Sequence, residues 1–237
     1  MQNFILDINQ FKQVIELSWY SIPVMILLNL LFLLLAIIFR RSDKSYQILI
    51  VYGLAALAQD FVGLFLPLTG RYNFFTPSFS LLSNIIAICF MYVEFIVFYL
   101  VYYVYLKWLY VLRMAKLLGL VYLLGIAYFL HSPHSIDLFK FLGCLSISSS
   151  AFLLIPAFYY YYQICKGKYS ISDARFWIIT GIASLNSLII PLFSLAPHLL
   201  DQNSYQVYHV YSINYFSYCL LFAFFIASIF YGKTPTR

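Results

Sequence analysis

Residues 82–106 read LSNIIAICFMYVEFIVFYLVYYVYL, with Glu94 as the one formally charged side chain in the run. A helix of about 20 apolar residues crosses the ~30 Å hydrocarbon layer of a bilayer. The segment is longer than that and apolar on every side, so it reads as a membrane span. Similar runs near 20–39, 46–67, 109–130, 139–163, 176–196 and 209–231 bring the count to seven. The fourth is apolar without interruption only over 117–130, and it needs Arg113 and Lys116 to snorkel toward the headgroups.

The whole chain agrees with this reading. Of its 237 residues, 64% are hydrophobic, 21% aromatic and only 9% charged. Fourteen basic and eight acidic side chains cannot clothe a soluble exterior. That excludes soluble enzymes, nucleic-acid binders and disordered regulators, and the net charge of +6 is no nucleic-acid footprint. The expected fold class is therefore all-α, one polytopic membrane domain over 1–237 with loops too short for a second domain.

Basic residues set the expected orientation. The joins after spans one, three and five carry Arg40, Arg41, Lys44, Lys107, Arg113, Lys116, Lys166, Lys168 and Arg175, and the tail adds Lys233 and Arg237. The other side has Lys12, Arg71 and Lys140. Eleven against three places the N-terminus outside and the C-terminus inside a cytoplasmic (inner) membrane, as an odd number of spans requires. Residues 1–18 show no cleavable signal peptide. Phe4, Ile8, Phe11 and Ile15 recur at helical spacing among polar residues, which reads as an amphipathic segment on the outer surface, either covering the bundle or leading into span one.

Cys89, Cys144, Cys165 and Cys219 form no CxxC pair and read as small packing residues. The aromatic residues at the inner ends of span three (Tyr99, Tyr102, Tyr103, Tyr105, Trp108 and Tyr110) and span five (159–162) read as an interfacial aromatic girdle.

An internal echo runs through the chain. Span one, the basic loop RRSDKS and span two are matched by span five, the loop KGKYSISDAR and span six, which sets Asp60 opposite Asn186; onward, Glu94 meets Asn214. The pattern is three helices, a linker helix, then three more in the same orientation, a parallel 3+1+3 repeat.

A carboxylate at mid-membrane is expensive and should face the bundle interior. Asp60 and Glu94 are two such groups, and no Lys or Arg shares their depth. Neutral Gln59, Asn84, Ser184, Asn186, Ser187 and Asn214, with His209 at the outer end of span seven, are the expected partners. Amides and hydroxyls donate without cancelling charge, so Glu94 is expected to carry a proton much of the time. Asp60, Glu94, Asn186 and Asn214, with His209 at the rim, are thus the candidate ligand-binding or proton-sensing residues of an outward-facing cavity. The amides and the serines 146 and 148–150 read equally well as hydrogen-bonding glue between helices.

Sharper chemistries find little support. Span seven lacks the lysine of a retinal Schiff base, and three of the four histidines, His131, His134 and His198, fall in outer loops, which makes a thin ligand set for a metal-dependent intramembrane lipid hydrolase. No catalytic residue, metal or cofactor is assigned.

AQDFVGLFL, MYVEFIVFYLVYY, DARFWIITG and YHVYSINYFSY together resemble uncharacterised bacterial seven-helix membrane proteins often associated with histidine-kinase signalling. The resemblance implies a signalling role without a known ligand, although Ser148 and Ser149 stand where an acid would be expected. The expected function is a receptor-like or sensory protein for a small ligand or proton, passing its output to a cytoplasmic signalling partner such as a kinase. The alternative is a small transporter built on the parallel repeat, with Pro23, Pro156 and Pro191 as bends.

Overall fold

The computed structural model describes residues 21–40, 42–62, 77–107, 109–131, 138–202 and 204–231. These form seven helices and, among the described residues, no strand: α1 (Ser21–Arg40), α2 (Lys44–Asp60), α3 (Pro77–Leu106), α4 (Leu109–His131), α5 (Leu138–Cys165), α6 (Ala174–Gln202) and α7 (Ser204–Phe230). Each expected span overlaps one of them. The amphipathic segment expected over 1–18 and the end of span two lie outside the described residues.

Five helices are long and apolar enough to cross a membrane: α1, α3, α5, α6 and α7. The described part of α2 is 17 residues, and the apolar part of α4 is Lys116–Tyr128, the shortness that Arg113 and Lys116 foretold. On α1, Leu27, Leu31, Leu34 and Ile38 make an exposed stripe while Met25, Asn29, Phe32 and Ala36 make a buried one, both at helical spacing. A helix apolar on both faces is at home only where the surroundings are also apolar, so the chain is a multi-pass membrane protein.

The helices close into a ring. α1 packs on α2, α2 on α3, α3 on α5, α5 on α6, α6 on α7, and α7 returns to α1; α4 lies mainly against α3 and slightly against α5. The α6–α7 interface is the most extensive. Close approach there depends on Gly181, where a Cβ would meet the Phe224 Cβ at 2.8 Å. Inside the ring, Phe32, Tyr52, Phe98, Phe222 and Phe225 interlock, with Tyr52–Phe98 centroids 4.9 Å apart and Phe32–Phe225 centroids 5.3 Å apart.

Several ties are visible at the basic end of the bundle. The Arg40 guanidinium donates to the Ile229 carbonyl at 3.1 Å and lies over the Tyr46 ring, while Tyr46 and Ser228 share a hydrogen bond of 2.7 Å. The last turn of α7 is thereby fastened to α1 and α2. Gly167 at φ 72° stops α5, with Gly167 N donating to Ile164 O and Lys168 N to Gln163 O. Asp43 caps α2 by accepting from Ser45 N at 2.9 Å. Asp43→Ala should therefore lower stability by about 1 kcal/mol; an unchanged thermal midpoint of the detergent-solubilised protein would contradict that.

Two sequence expectations change here. Cys89, Cys144 and Cys165 are exposed rather than packed, and the last two lie at opposite ends of α5. Of the tyrosines read as a girdle, Tyr159 and Tyr162 are exposed, but Tyr99, Tyr102 and Tyr160 are buried in the core. Interface and core both accept a tyrosine, and only the helix face decides between them.

Candidate functional site

Buried positions on α2 run Leu49, Tyr52, Gly53 and Ala56, the spacing of one helix face, and Asp60 continues that face at the last turn. On α3 the inward residues include Phe90, Glu94, Phe98, Val101 and Tyr102, and on α7 Tyr218 is followed by Leu221, Phe222 and Phe225. These three faces meet around Glu94, which is 8% exposed.

Its carboxyl is held by two phenols. Tyr218 Oη donates to Glu94 Oε2 at 2.9 Å, and Tyr52 Oη reaches the same oxygen at 3.4 Å. The Tyr52 ring is fixed by Phe98, Phe90 and Phe222, with centroids at 4.9, 5.9 and 6.1 Å, so its hydroxyl has little freedom to turn away. Among the described residues no lysine or arginine pairs with Glu94. A carboxyl placed this way joins α2, α3 and α7 through one oxygen, and its protonation changes the strength of both bonds, because hydrogen bonds to an ionised acceptor are roughly twice as strong as neutral ones.

Asp60 is half-buried, and its Oδ2 is enclosed without a hydrogen-bond partner. Asn214 sits one turn before Tyr218 on α7, also half-buried, with Oδ1 enclosed and unpartnered. Asn186 is 1% exposed, but its Nδ2 donates at 2.7 Å to Ile182 O on its own helix. One of its two amide hydrogens thus goes to the acceptor one turn back on its own helix. His209 belongs to α7, and its side chain, like that of Asn84, lies outside those described.

Tyr52 and Tyr218 escaped the sequence reading. The signal was present in their spacing, since Tyr52 precedes Asp60 by about two turns and Tyr218 follows Asn214 by one, each on the polar face of its helix. Asn29 was missed as well. It is 1% exposed on α1, donates to Gly53 O at 3.0 Å, and keeps its own Oδ1 unpartnered. A Cβ at Gly53 would stand 2.8 Å from that oxygen, so glycine is what lets the two helices meet through this bond.

The serine cluster on α5 serves its own helix in part: Ser148 Oγ donates to Cys144 O and Ser149 Oγ to Ser146 O. Ser146 Oγ also reaches Met91 Sδ on α3 at 3.8 Å. Among the described residues no three His, Cys, Asp or Glu side chains group as metal ligands. Comparison with protein-family models, with curated proteins and with solved structures finds no match to this chain.

Proposed function

We propose that the chain is a receptor-like, sensory protein of the cytoplasmic membrane, with seven spans, its N-terminus outside, and Glu94 as the group whose protonation or ligand contact is sensed. The supporting observation is the junction of Glu94 with Tyr218 and Tyr52. In the ionised state both phenols donate to the carboxylate and α7 is drawn to α3 and α2. A proton, or a ligand donor competing for Oε2, weakens that attachment and frees the middle of α7 while its last turn stays fastened through Ile229 and Ser228. Asp60 and Asn214, with enclosed acceptor atoms, line the approach from the outer side, with His209 near the rim. The output passes through the basic loops and the tail to a cytoplasmic signalling protein such as a kinase, in keeping with the resemblance drawn from the sequence.

The test is the distance between spin labels on α3 and α7, followed across pH in the reconstituted protein. A pH-dependent change is expected in the wild type and should be lost in Glu94→Gln, which keeps an acceptor but cannot ionise. Identical profiles in the two proteins would reject Glu94 as the sensor.

One observation favours a transporter as the second reading. Exchanging α1, α2, α3 with α5, α6, α7 maps the α1–α2, α2–α3 and α1–α7 contacts onto α5–α6, α6–α7 and α5–α3, with α4 left outside the ring. Such a ring is compatible with the parallel 3+1+3 repeat expected from the sequence, and sites in repeat-built transporters tend to fall between the halves. Solute counterflow in reconstituted vesicles separates the two readings.

A further inference from the structure

α4 turns one face to α3 and leaves the opposite face uncovered. On the inward face the Tyr122 ring lies 5.7 Å from Phe95 and 6.0 Å from Tyr92, and a Cβ at Gly119 would stand 3.4 Å from the Tyr92 hydroxyl. On the outward face Arg113, Lys116, Leu117, Leu120 and Leu124 follow one another at intervals that keep them on one side of the helix, and all five are exposed. Two cations therefore head a stripe of three leucines. From Arg113 to Leu124 the stripe rises about 16 Å, which matches the ~15 Å of hydrocarbon in one leaflet, half of the ~30 Å core.

Nothing described neutralises these cations. Of the acids described at the basic end, Asp43 accepts from Ser45 N and Asp173 pairs with Arg175. Among the described residues Arg113 and Lys116 make no ion pair, and exposed Lys107, just before α4, adds a third charge of the same sign. Other cations of that end are held by the protein: Arg40 donates to the Ile229 carbonyl, and Lys166 lies over the Tyr162 ring at 4.5 Å. Depth sharpens the contrast. The apolar part of α4, Lys116–Tyr128, rises about 20 Å, well short of the ~30 Å core. A short span is met by thinning of the bilayer or by snorkelling of its flanking residues. Both responses bring Arg113 and Lys116 to the level of the lipid phosphates.

We propose that this flank of α4 binds an anionic phospholipid, with the phosphate at Arg113 and Lys116 and an acyl chain along Leu117, Leu120 and Leu124. A soluble anion meets the charges but not the leucines. A zwitterionic lipid meets the leucines but sets its own cation against those of the protein. A lipid of net negative charge satisfies both halves of the stripe. The site is separate from Glu94, and its occupant comes from the membrane itself.

The test places the photo-crosslinker p-benzoylphenylalanine at position 120 of the full chain, reconstitutes it in vesicles of equal parts phosphatidylglycerol and phosphatidylcholine, and identifies the adduct by mass spectrometry. Capture should favour phosphatidylglycerol about fivefold or more, the effect of roughly one cation near the surface. Arg113→Gln combined with Lys116→Gln should bring the two lipids to near-equal capture. Arg113→Lys combined with Lys116→Arg keeps both charges and should keep the preference; its loss there means that charge is not what is recognised. Lys166→Gln combined with Lys168→Gln removes as much charge from the same end and should leave capture at position 120 unchanged. Equal capture before any charge is removed, or a preference that survives the glutamine pair on α4, overturns the site. So does an equal loss in both glutamine pairs, which would show general attraction to the basic end. An adduct with a second copy of the chain in place of lipid overturns the lipid as occupant, and displacement of phosphatidylglycerol by soluble glycerol phosphate assigns the charges to a free anion instead.

Discussion

Gly181→Leu is expected to abolish the folded bundle. A Cβ at this position would stand 2.8 Å from the Phe224 Cβ and 3.3 Å from the Leu221 carbonyl oxygen. Neither is the far end of a flexible side chain: one is the root of a ring and the other is backbone. Relief therefore requires α6 and α7 to separate along the largest interface in the molecule. Even Gly181→Ala should cost about 1–3 kcal/mol by overpacking, and the three further carbons of leucine have no space at all. Gly143→Ala is the control, since the nearest atom to its Cβ would be the Phe193 carbonyl oxygen at 3.8 Å. Size-exclusion profiles and thermal unfolding in detergent decide it: a monodisperse Gly181→Leu protein melting with the wild type would show that the two helices are not so closely joined.

Glu94→Leu should be the most damaging substitution at the site. It leaves the Tyr218 and Tyr52 hydroxyls without their acceptor in an apolar surrounding, at about 1–3 kcal/mol for each orphaned donor. Tyr52 has no easy alternative, being wedged between Phe90, Phe98 and Phe222. Glu94→Gln retains a carbonyl acceptor for both phenols and should stay within about 1 kcal/mol of wild type. The measurement is denaturant unfolding of the three proteins side by side. Equal stability of the leucine and glutamine variants would mean that the two hydrogen bonds contribute nothing to holding α7.

The helices were legible because a run of apolar residues long enough to cross a bilayer has few other uses: each of the seven runs overlaps a helix, and five of those helices are long and apolar enough to span. Glu94 was legible for the same energetic reason, since a lone carboxyl in residues 82–106 demands an interior position. Its partners were not. The chain holds 23 tyrosines, and a tyrosine serves equally as interface anchor, core filler or hydrogen-bond donor. Competition also matters: Asn186 gives a hydrogen to a carbonyl one turn back on α6, whereas a phenol cannot fold back on its own helix and must look across the ring. The unpartnered oxygens of Asn29 and Asn214 went unforeseen because satisfaction of a polar atom depends on neighbours distant in sequence.

The contact between α1 and α7 bears on how the chain is made. Arg40 and the carbonyl it grips are 189 residues apart, and Glu94 waits 124 residues for Tyr218. A ribosome delivers the amino-terminal helices first, so for most of synthesis the carboxyl has Tyr52 alone and the first helix has an open flank. Neither junction can be completed until the final segment has emerged, and a chain terminated before residue 218 lacks both.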